Sequence, residues 1–537
     1  MASQVPDIFR ERAAAEQWRM VDCATLNAPQ TVEADVIIVG TGAGGGVTAE
    51  VLSQAGLKVV MIEEGNLHTS SDFKMDELDS YGKLYQEGAG RATKDGAVNI
   101  FQGRTVGGTT AINWTSSFRT PSQTLNVWGN DFAVKGFSPE EMAPYFERME
   151  QRLNIEKWAM APNANNDTLK RGCEQLGWSW AVIPRNVAGC WNLGYCGMGC
   201  PTNAKQSMLV TTVPEALKNG AQLYYRCSAQ QVNFDAHKAT SITCQALGVD
   251  GKTPTGVLLE FKAPHIVLSG GAINTPGLLL RSNAADPHGR IGKRTMIHPV
   301  NGSMAQFSDK IDPFYGAPQS IYSDHFQWVE SQDMGFKLEV PPMQPVMGAQ
   351  ILGFHGLDLI DTMKQLPNLQ GTIALMRDGF HEESQGGSVE LDHEGKPVLD
   401  YPITEYLWKG LRKAHHVMAE IQFAAGAKKV FPIHHDGDYY TNLEDCKKAI
   451  DALDMKEHRA RVMTAHLMGG CAMGEDETQS VVNSQGRFHQ ADNLYVIDGS
   501  VFPTSIGANP QLSIYGMALK QASQLVATIK GQPESAA

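Results

Sequence analysis

The sequence predicts an α/β fold: a Rossmann-like nucleotide-binding domain joined to a second domain built on an antiparallel sheet with helices. Three observations predict it. An apolar run near the N-terminus enters a glycine-rich turn, two later runs repeat the strand-then-glycine pattern, and the stretch between them alternates short strands with turns.

The first run is Val36-Ile37-Ile38-Val39-Gly40-Thr41-Gly42-Ala43-Gly44-Gly45-Gly46, followed by helix-compatible residues 47–54 and a second apolar run, Lys58-Val59-Val60-Met61-Ile62, that ends at Glu63. This is the βαβ layout of a dinucleotide site: Gly40 makes the tight turn, Gly42 admits a pyrophosphate, Gly45 allows close packing, and Ala43 counts among the cofactor-binding residues. An acid about 20 residues on then meets the ribose hydroxyls. Glu63 is preferred for that role because it directly ends the run, with Glu64 as the alternative. The pyrophosphate is expected on the amides at the helix N-terminus, where the macrodipole favours negative charge.

Residues 66–100 are polar and glycine-bearing and read as an excursion over the ligand. Ser138 is the expected N-cap of a helix over Pro139–Arg152. A further strand and turn run from Ala263 through Gly270 to Ala272, with residues 276–281 suited to a helix. Gly387-Ser388-Val389-Glu390-Leu391-Asp392 and Pro397-Val398-Leu399-Asp400-Tyr401 flank a turn and predict a hairpin, and Glu405–Ala424 predicts a helix. Leu494-Tyr495-Val496-Ile497-Asp498-Gly499 is one more strand and turn. The chain therefore divides into a leader (1–33, helical over 10–18), nucleotide-domain parts at 34–120, 201–293 and 456–537, substrate-side helices and loop at 121–200, and a substrate domain at 294–455.

At 537 residues, two or more domains are expected, and 42% hydrophobic with 19% charged residues is ordinary for a globular enzyme. A net charge of −13 argues against nucleic acid or an anionic membrane as the main partner. Residues 1–17 lack the apolar core of a signal peptide, and no run of about 18 apolar residues occurs, so a cytoplasmic protein without an integral membrane segment is expected. Nine cysteines, an odd number, favour free thiols in a reducing compartment.

Further motifs fall in a specific order. They are Gly103-Arg104-Thr105-Val106-Gly107-Gly108-Thr109-Thr110-Ala111-Ile112-Asn113-Trp114, Gly271-Ala272-Ile273-Asn274-Thr275-Pro276-Gly277, His466-Leu467-Met468-Gly469-Gly470-Cys471, and Asp498-Gly499-Ser500-Val501-Phe502-Pro503 continuing to Asn509-Pro510-Gln511. Together they resemble the signatures of the glucose-methanol-choline family of FAD-dependent alcohol oxidoreductases, over most of the chain. The resemblance implies FAD, with Gly107, Gly108, Thr109 and Asn113 letting backbone pass close to the cofactor. Arg104, Trp114, Thr115, Gly270 and Gly499 belong to the same implied set. Val232 would meet the adenine through its backbone, Asp498 would lie near the pyrophosphate and ribityl chain, and the amides of Asn509, Pro510 and Gln511 would open a helix toward the flavin's pyrimidine edge. Some members attach FAD through a histidine just before the asparagine of the first signature. Ile112 stands there, so noncovalent FAD is expected.

By the same resemblance His466 is the base for the hydroxyl proton and Asn509 orients the alkoxide; a structural helix-cap or core histidine is the plainer reading of His466. Phe336-Lys337-Leu338-Glu339-Val340-Pro341-Pro342-Met343 is similar to the segment that carries an active-site glutamate in the cholesterol oxidase branch. Glu339 is thus a third catalytic candidate, against a solvent-facing carboxylate or a partner of Lys337.

The apolar, methionine-bearing residues 340–354 suit a hydrophobic alcohol. Arg294-Thr295-Met296-Ile297-His298-Pro299-Val300 and Cys196-Gly197-Met198-Gly199-Cys200 are similar to segments of the long-chain alcohol oxidase branch. Cys190, Cys196 and Cys200 are also similar to the cluster-binding cysteines of membrane-associated sugar dehydrogenases, which makes an iron-sulfur cluster the alternative to buried thiols. The competing functions are a sugar or sterol dehydrogenase, an electron carrier without turnover, and a nicotinamide dehydrogenase. The acceptor, whether oxygen, a quinone or a cytochrome, is left open.

Overall fold

The computed structural model describes residues 5–329 and 333–532. Its centre is a six-stranded, all-parallel sheet in the spatial order Arg19–Asp22, Gln222–Tyr225, Val59–Glu63, Val36–Val39, His265–Leu268, Leu494–Val496. Every residue of Val36–Val39 and Val59–Glu63 is buried, as expected of strands covered on both faces. The helix Ala43–Gln54 packs on Gln511–Lys530 and Thr212–Lys218. A second sheet, formed by the meander Cys227–Asp235, Lys238–Leu247 and Pro254–Lys262 with Gln30–Glu33 alongside, leans on the Val59–Glu63 and His265–Leu268 strands.

The segment read as a leader is therefore structural. It holds the helix Ile8–Ala15, an edge strand of the main sheet and a strand of the second one. Alternation is too short in either strand to be seen from sequence, and both are held by neighbours distant in the chain.

The other domain carries a sheet in the order Val98–Ile100, Val462–Thr464, Val300–Gln306, Leu369–Met376, Phe336–Glu339, Ile321–Ser323, Ala181–Val182, with Lys429–Pro432 also paired to Val300–Gln306. All these pairings are antiparallel except the first. Three of the strands come from outside residues 294–455, so this domain is assembled from more of the chain than a contiguous reading gives. Glu405–Ala424, N-capped by Thr404, lays Leu407, Leu411, Ala414, Met418 and Ile421 on the sheet at helical spacing.

The hairpin Gly387–Leu391 and Pro397–Asp400 forms as expected, but it joins Lys293–Thr295 in a small separate sheet and packs on the helix Gly271–Arg281. Gly277 permits that contact, since a Cβ there would stand 2.5 Å from the Pro397 Cβ. The helix itself starts at Gly271, ahead of the expected 276, because Asp498 accepts a hydrogen bond from the Gly271 amide at 2.8 Å. Pro139–Arg152 is capped by Ser138, with Glu141 returning the bond.

Candidate active site

A long cleft runs between the two domains. At one end lie the carboxyl ends of the parallel strands, where open α/β sheets bind ligands. Gly40 has φ +102°, and a Cβ would lie 2.3 Å from the Ser269 carbonyl oxygen. Gly45 is equally enclosed, 2.0 Å from the Gly40 oxygen, and so packs the helix on the turn without reaching the cleft. Gly42 differs: a Cβ there meets only the Gly108 Cα, at 3.9 Å, and would project into the cleft. That is the cradle a pyrophosphate needs.

Glu63 fastens this turn. Its buried carboxylate accepts from the Thr41 amide at 3.2 Å, the Thr41 hydroxyl at 2.6 Å and the Gly65 amide at 2.8 Å, and burial outweighs these bonds to raise its pKa. The Thr41 hydroxyl in turn accepts the Gly107 amide at 2.9 Å, tying the first glycine segment to the second. Glu64 pairs with Arg104 at 3.1 Å, and both line the cleft.

Ala43, Gly108, Thr109, Asn113, Trp114, Thr115 and Gly270 also line it; Gly107 lies behind, against Leu209. Thr115 holds φ +73°, rare for a β-branched residue, and is secured by its amide bond to Asn113 Oδ1 and by the Arg185 Nε donor at 2.8 Å. Lys205, fully buried, donates to the carbonyls of Ala111, Asn113 and Cys196 and thereby holds this segment against the cysteine loop; burial draws its pKa down to about 8.

Val232 is not at the cleft. Its side chain is buried and its amide donates to Ser282 Oγ at 2.8 Å, while Cys227 and Ala229 form the wall. A bulge between Ala229 and Gln231 shifts the strand's alternation, which a motif match does not reveal.

Asp498 is buried and accepts from the Gly271 and Ser500 amides and from Thr275 Oγ1, so it organises the turns of two segments beside Gly499. The helix Gln511–Lys530 starts after Asn509 and Pro510 with no side-chain cap, leaving its N-terminal dipole directed at the cleft. Gln511 accepts from Asn113 Nδ2 at 2.7 Å and from the Tyr515 hydroxyl, joining the first and last motifs. These features fit FAD: a glycine turn open to the cleft at the carboxyl ends of the parallel strands, and an uncapped helix N-terminus for the ring.

The far part of the cleft is apolar, with Met304, Met343, Ile351, Leu352, Ile373 and Met463 on its walls. His466, half-buried, stands where the two parts meet, two residues past the Val462–Thr464 strand. Burial and the nearby Lys337 ammonium pull its pKa to about 4, so the ring is neutral at neutral pH. Asn509 lines the same space. Its Nδ2 donates to Glu339 Oε2 at 3.1 Å, and Gln319 Nε2 donates to the same oxygen at 2.7 Å.

Glu339 is neither solvent-facing nor in the cleft wall. It is fully buried behind Asn509, with its pKa raised by burial. Lys337 sits over the rings of Phe118 and Tyr322, at 3.5 and 3.8 Å from their centroids, with its pKa drawn to about 8 by burial. Glu339 Oε1 and Asn509 Oδ1 are buried without a hydrogen-bond partner among the described residues.

His298, within the 294–300 run, has no role legible in the sequence, because a buried ring contacting His466 is a tertiary fact with no spacing signature. Gln319 and Lys205 also escaped, since neither lies in a motif. Cys190, Cys196 and Cys200 find separate partners in the Asn192 amide, Arg185 and Thr202, and among the described residues no three His, Cys, Asp or Glu side chains are placed to hold a metal ion. No helix of the described residues is long and apolar enough to cross a membrane.

The GMC oxidoreductase N-terminal model matches residues 81–300 and the C-terminal model residues 383–518. An uncharacterized GMC-type oxidoreductase of Mycobacterium tuberculosis is 31% identical over 97% of this chain and 80% of its own length. Long-chain-alcohol oxidase FAO4B of Arabidopsis thaliana is 29% identical over 93% of this chain and 68% of its own. Among solved structures, a formate oxidase variant from Aspergillus oryzae RIB40, studied for FAD modification, superposes with TM-score 0.71 at 14% identity, covering 94% of this chain and all of that one. Pyridoxine 4-oxidase from Mesorbium loti superposes with TM-score 0.66 at 17% identity, covering 91% and 98%. The chain belongs to the GMC oxidoreductase family, FAD-dependent enzymes that act on CH–OH donors.

Proposed function

We propose that this protein oxidises a hydrophobic primary alcohol, long-chain or ring-bearing, to the carbonyl, with FAD held noncovalently. The observation that carries this reading is the meeting of the apolar end of the cleft with His466 and Asn509. A chain of methylenes lying along Met304, Ile351, Leu352 and Met463 gains about 0.8 kcal/mol for each one buried. Gly302 and Gly371, on adjacent strands, keep the floor of that space clear. The side chains named there are apolar, which favours an alkyl or ring-bearing alcohol over a sugar. The similarity to the long-chain-alcohol oxidases points the same way.

Bound FAD supplies the hydride acceptor. The chain's own residues would do the rest: Gly42 and the Ala43–Gln54 N-terminus would receive the pyrophosphate, Glu63, or alternatively Glu64, the ribose, and the first turn of Gln511–Lys530 the ring. Ile112 offers no nucleophile for a covalent link. His466 and Asn509 would hold the carbinol oxygen, and its proton would leave either to His466 or, relayed through the Asn509 amide, to the buried Glu339 carboxylate.

The test is the rate of anaerobic flavin reduction across a series of primary alcohols of increasing chain length. The reading expects catalytic efficiency to rise with each added methylene by up to about fourfold until the cleft is filled. A series that is flat, or that favours glucose over every alkanol, overturns it.

A further inference from the structure

Although it takes no part in the chemistry just described, His298 is in direct contact with His466. Their rings cross at 80° with Nδ1 facing Nδ1 at 3.3 Å. His298 is buried and its backbone is fixed. The amides of Ile297 and His298 both donate to the Asp378 carboxylate, at 2.9 and 3.1 Å, and φ is +45°. Its Nε2 receives the Gly507 backbone N–H at 3.2 Å.

A backbone amide can only donate, so His298 Nε2 presents a lone pair and its ring proton resides on Nδ1. That proton points at His466 Nδ1, which must accept it. Neutral His466 consequently carries its own proton on Nε2, the nitrogen left for the cleft that the ring lines. The opposite arrangement, with His466 donating to His298, would set a ring N–H against the Gly507 N–H.

We infer that His298 is a positioning residue that holds His466 with its proton on Nε2, so that His466 meets the alcohol oxygen as a hydrogen-bond donor. The hydroxyl proton is then left to Glu339 by way of the Asn509 amide, Oδ1 taking the hydroxyl proton as an Nδ2 proton passes to Glu339 Oε2. The tautomer follows from this chain's own hydrogen bonds. Only what lies opposite Nε2 rests on the proposed alcohol oxidation.

The experiment is 15N NMR of the FAD-loaded protein carrying ring-labelled histidine, with the His466 signals identified by their loss in His466→Gln. At pH 7 the His466 ring is expected to show a protonated Nε2 and a bare Nδ1. A protonated Nδ1, alone or with Nε2, overturns the inference. Two variants read the consequence. His298→Leu removes the donor and is expected to slow anaerobic flavin reduction at saturating long-chain alcohol by about tenfold, about 1.4 kcal/mol. His298→Asn returns an N–H near the Nδ1 position and is expected to restore the rate to within about threefold of wild type, a rescue that general packing does not explain. Equal rates for wild type and His298→Leu, both retaining flavin, contradict the inference. An alcohol-inert flavin with the expected His466 tautomer would instead overturn the proposed function and leave the tautomer standing.

Discussion

Replacing Gly42 by alanine separates cofactor binding from folding. The residue has φ −71° and ψ −159°, extended backbone that alanine adopts without strain, and the added methyl meets only the Gly108 Cα at 3.9 Å. The apoprotein therefore loses little stability. The same methyl enters the space assigned to the pyrophosphate, and crowding a close-packed contact by one methyl costs about 1–3 kcal/mol. FAD affinity should fall by about 5- to 150-fold. Gly44→Ala is the contrasting variant: its Cβ would stand 1.9 Å from the Ile497 carbonyl oxygen, so it should lower the stability of the apoprotein itself. Titrating FAD into deflavinated protein, followed by quenching of flavin fluorescence, gives the affinities, and thermal melts of the same samples give the stabilities. A Gly42→Ala protein that binds FAD within twofold of wild type, or whose apo form melts as early as Gly44→Ala, would refute the placement of the pyrophosphate.

Other perturbations follow from the same contacts. Glu63→Ala strips the acceptor from the Thr41 and Gly65 amides and the Thr41 hydroxyl, each worth about 1.5–3 kcal/mol when the acceptor is charged; flavin retained through gel filtration should fall, and full retention would move the ribose contact to Glu64. Lys205→Met leaves the buried carbonyls of Ala111, Asn113 and Cys196 without their donor and should destabilise by about 2–4 kcal/mol in urea unfolding of the holoprotein, with an unchanged midpoint contradicting the role given to it. His466 has its pKa depressed from 6.5 to about 4, so its neutral burial stabilises the fold above pH 6.5 and that contribution is lost as pH falls from 6.5 toward 4. Melting temperatures of wild type and His466→Gln should therefore diverge in slope across that window, with wild type the steeper; parallel slopes would show that the ring is not held neutral.

The glycine segments were legible because each strand-turn-helix junction is a local event. Val36–Val39 into Ala43–Gln54, and Ser138 capping Pro139–Arg152, are written in consecutive residues. The helix expected over Glu405–Ala424 forms with those bounds. What escaped was long-range: Arg19–Asp22 finds its place beside Gln222–Tyr225, and Val462–Thr464 beside Val98–Ile100, through pairings that three- or four-residue strands do not announce. Val232 was misplaced because a bulge resets the alternation after Ala229. In the cleft, His466 and Asn509 came from motif order, while the partners that define their states, His298 at one and Glu339 with Gln319 at the other, are set by tertiary packing. Glu339 became a candidate through the resemblance of its segment, but its complete burial behind Asn509 depends on how the Phe336–Glu339 strand pairs with Leu369–Met376.

The visible spectrum of the purified protein, before and after anaerobic addition of a long-chain primary alcohol, tests the central claim most directly. Flavin absorption that bleaches with the alcohol is the predicted result. Flavin bands that persist through a series of primary alcohols would contradict the assignment of substrate, and a protein that neither carries nor takes up FAD would contradict the reading of the cleft itself.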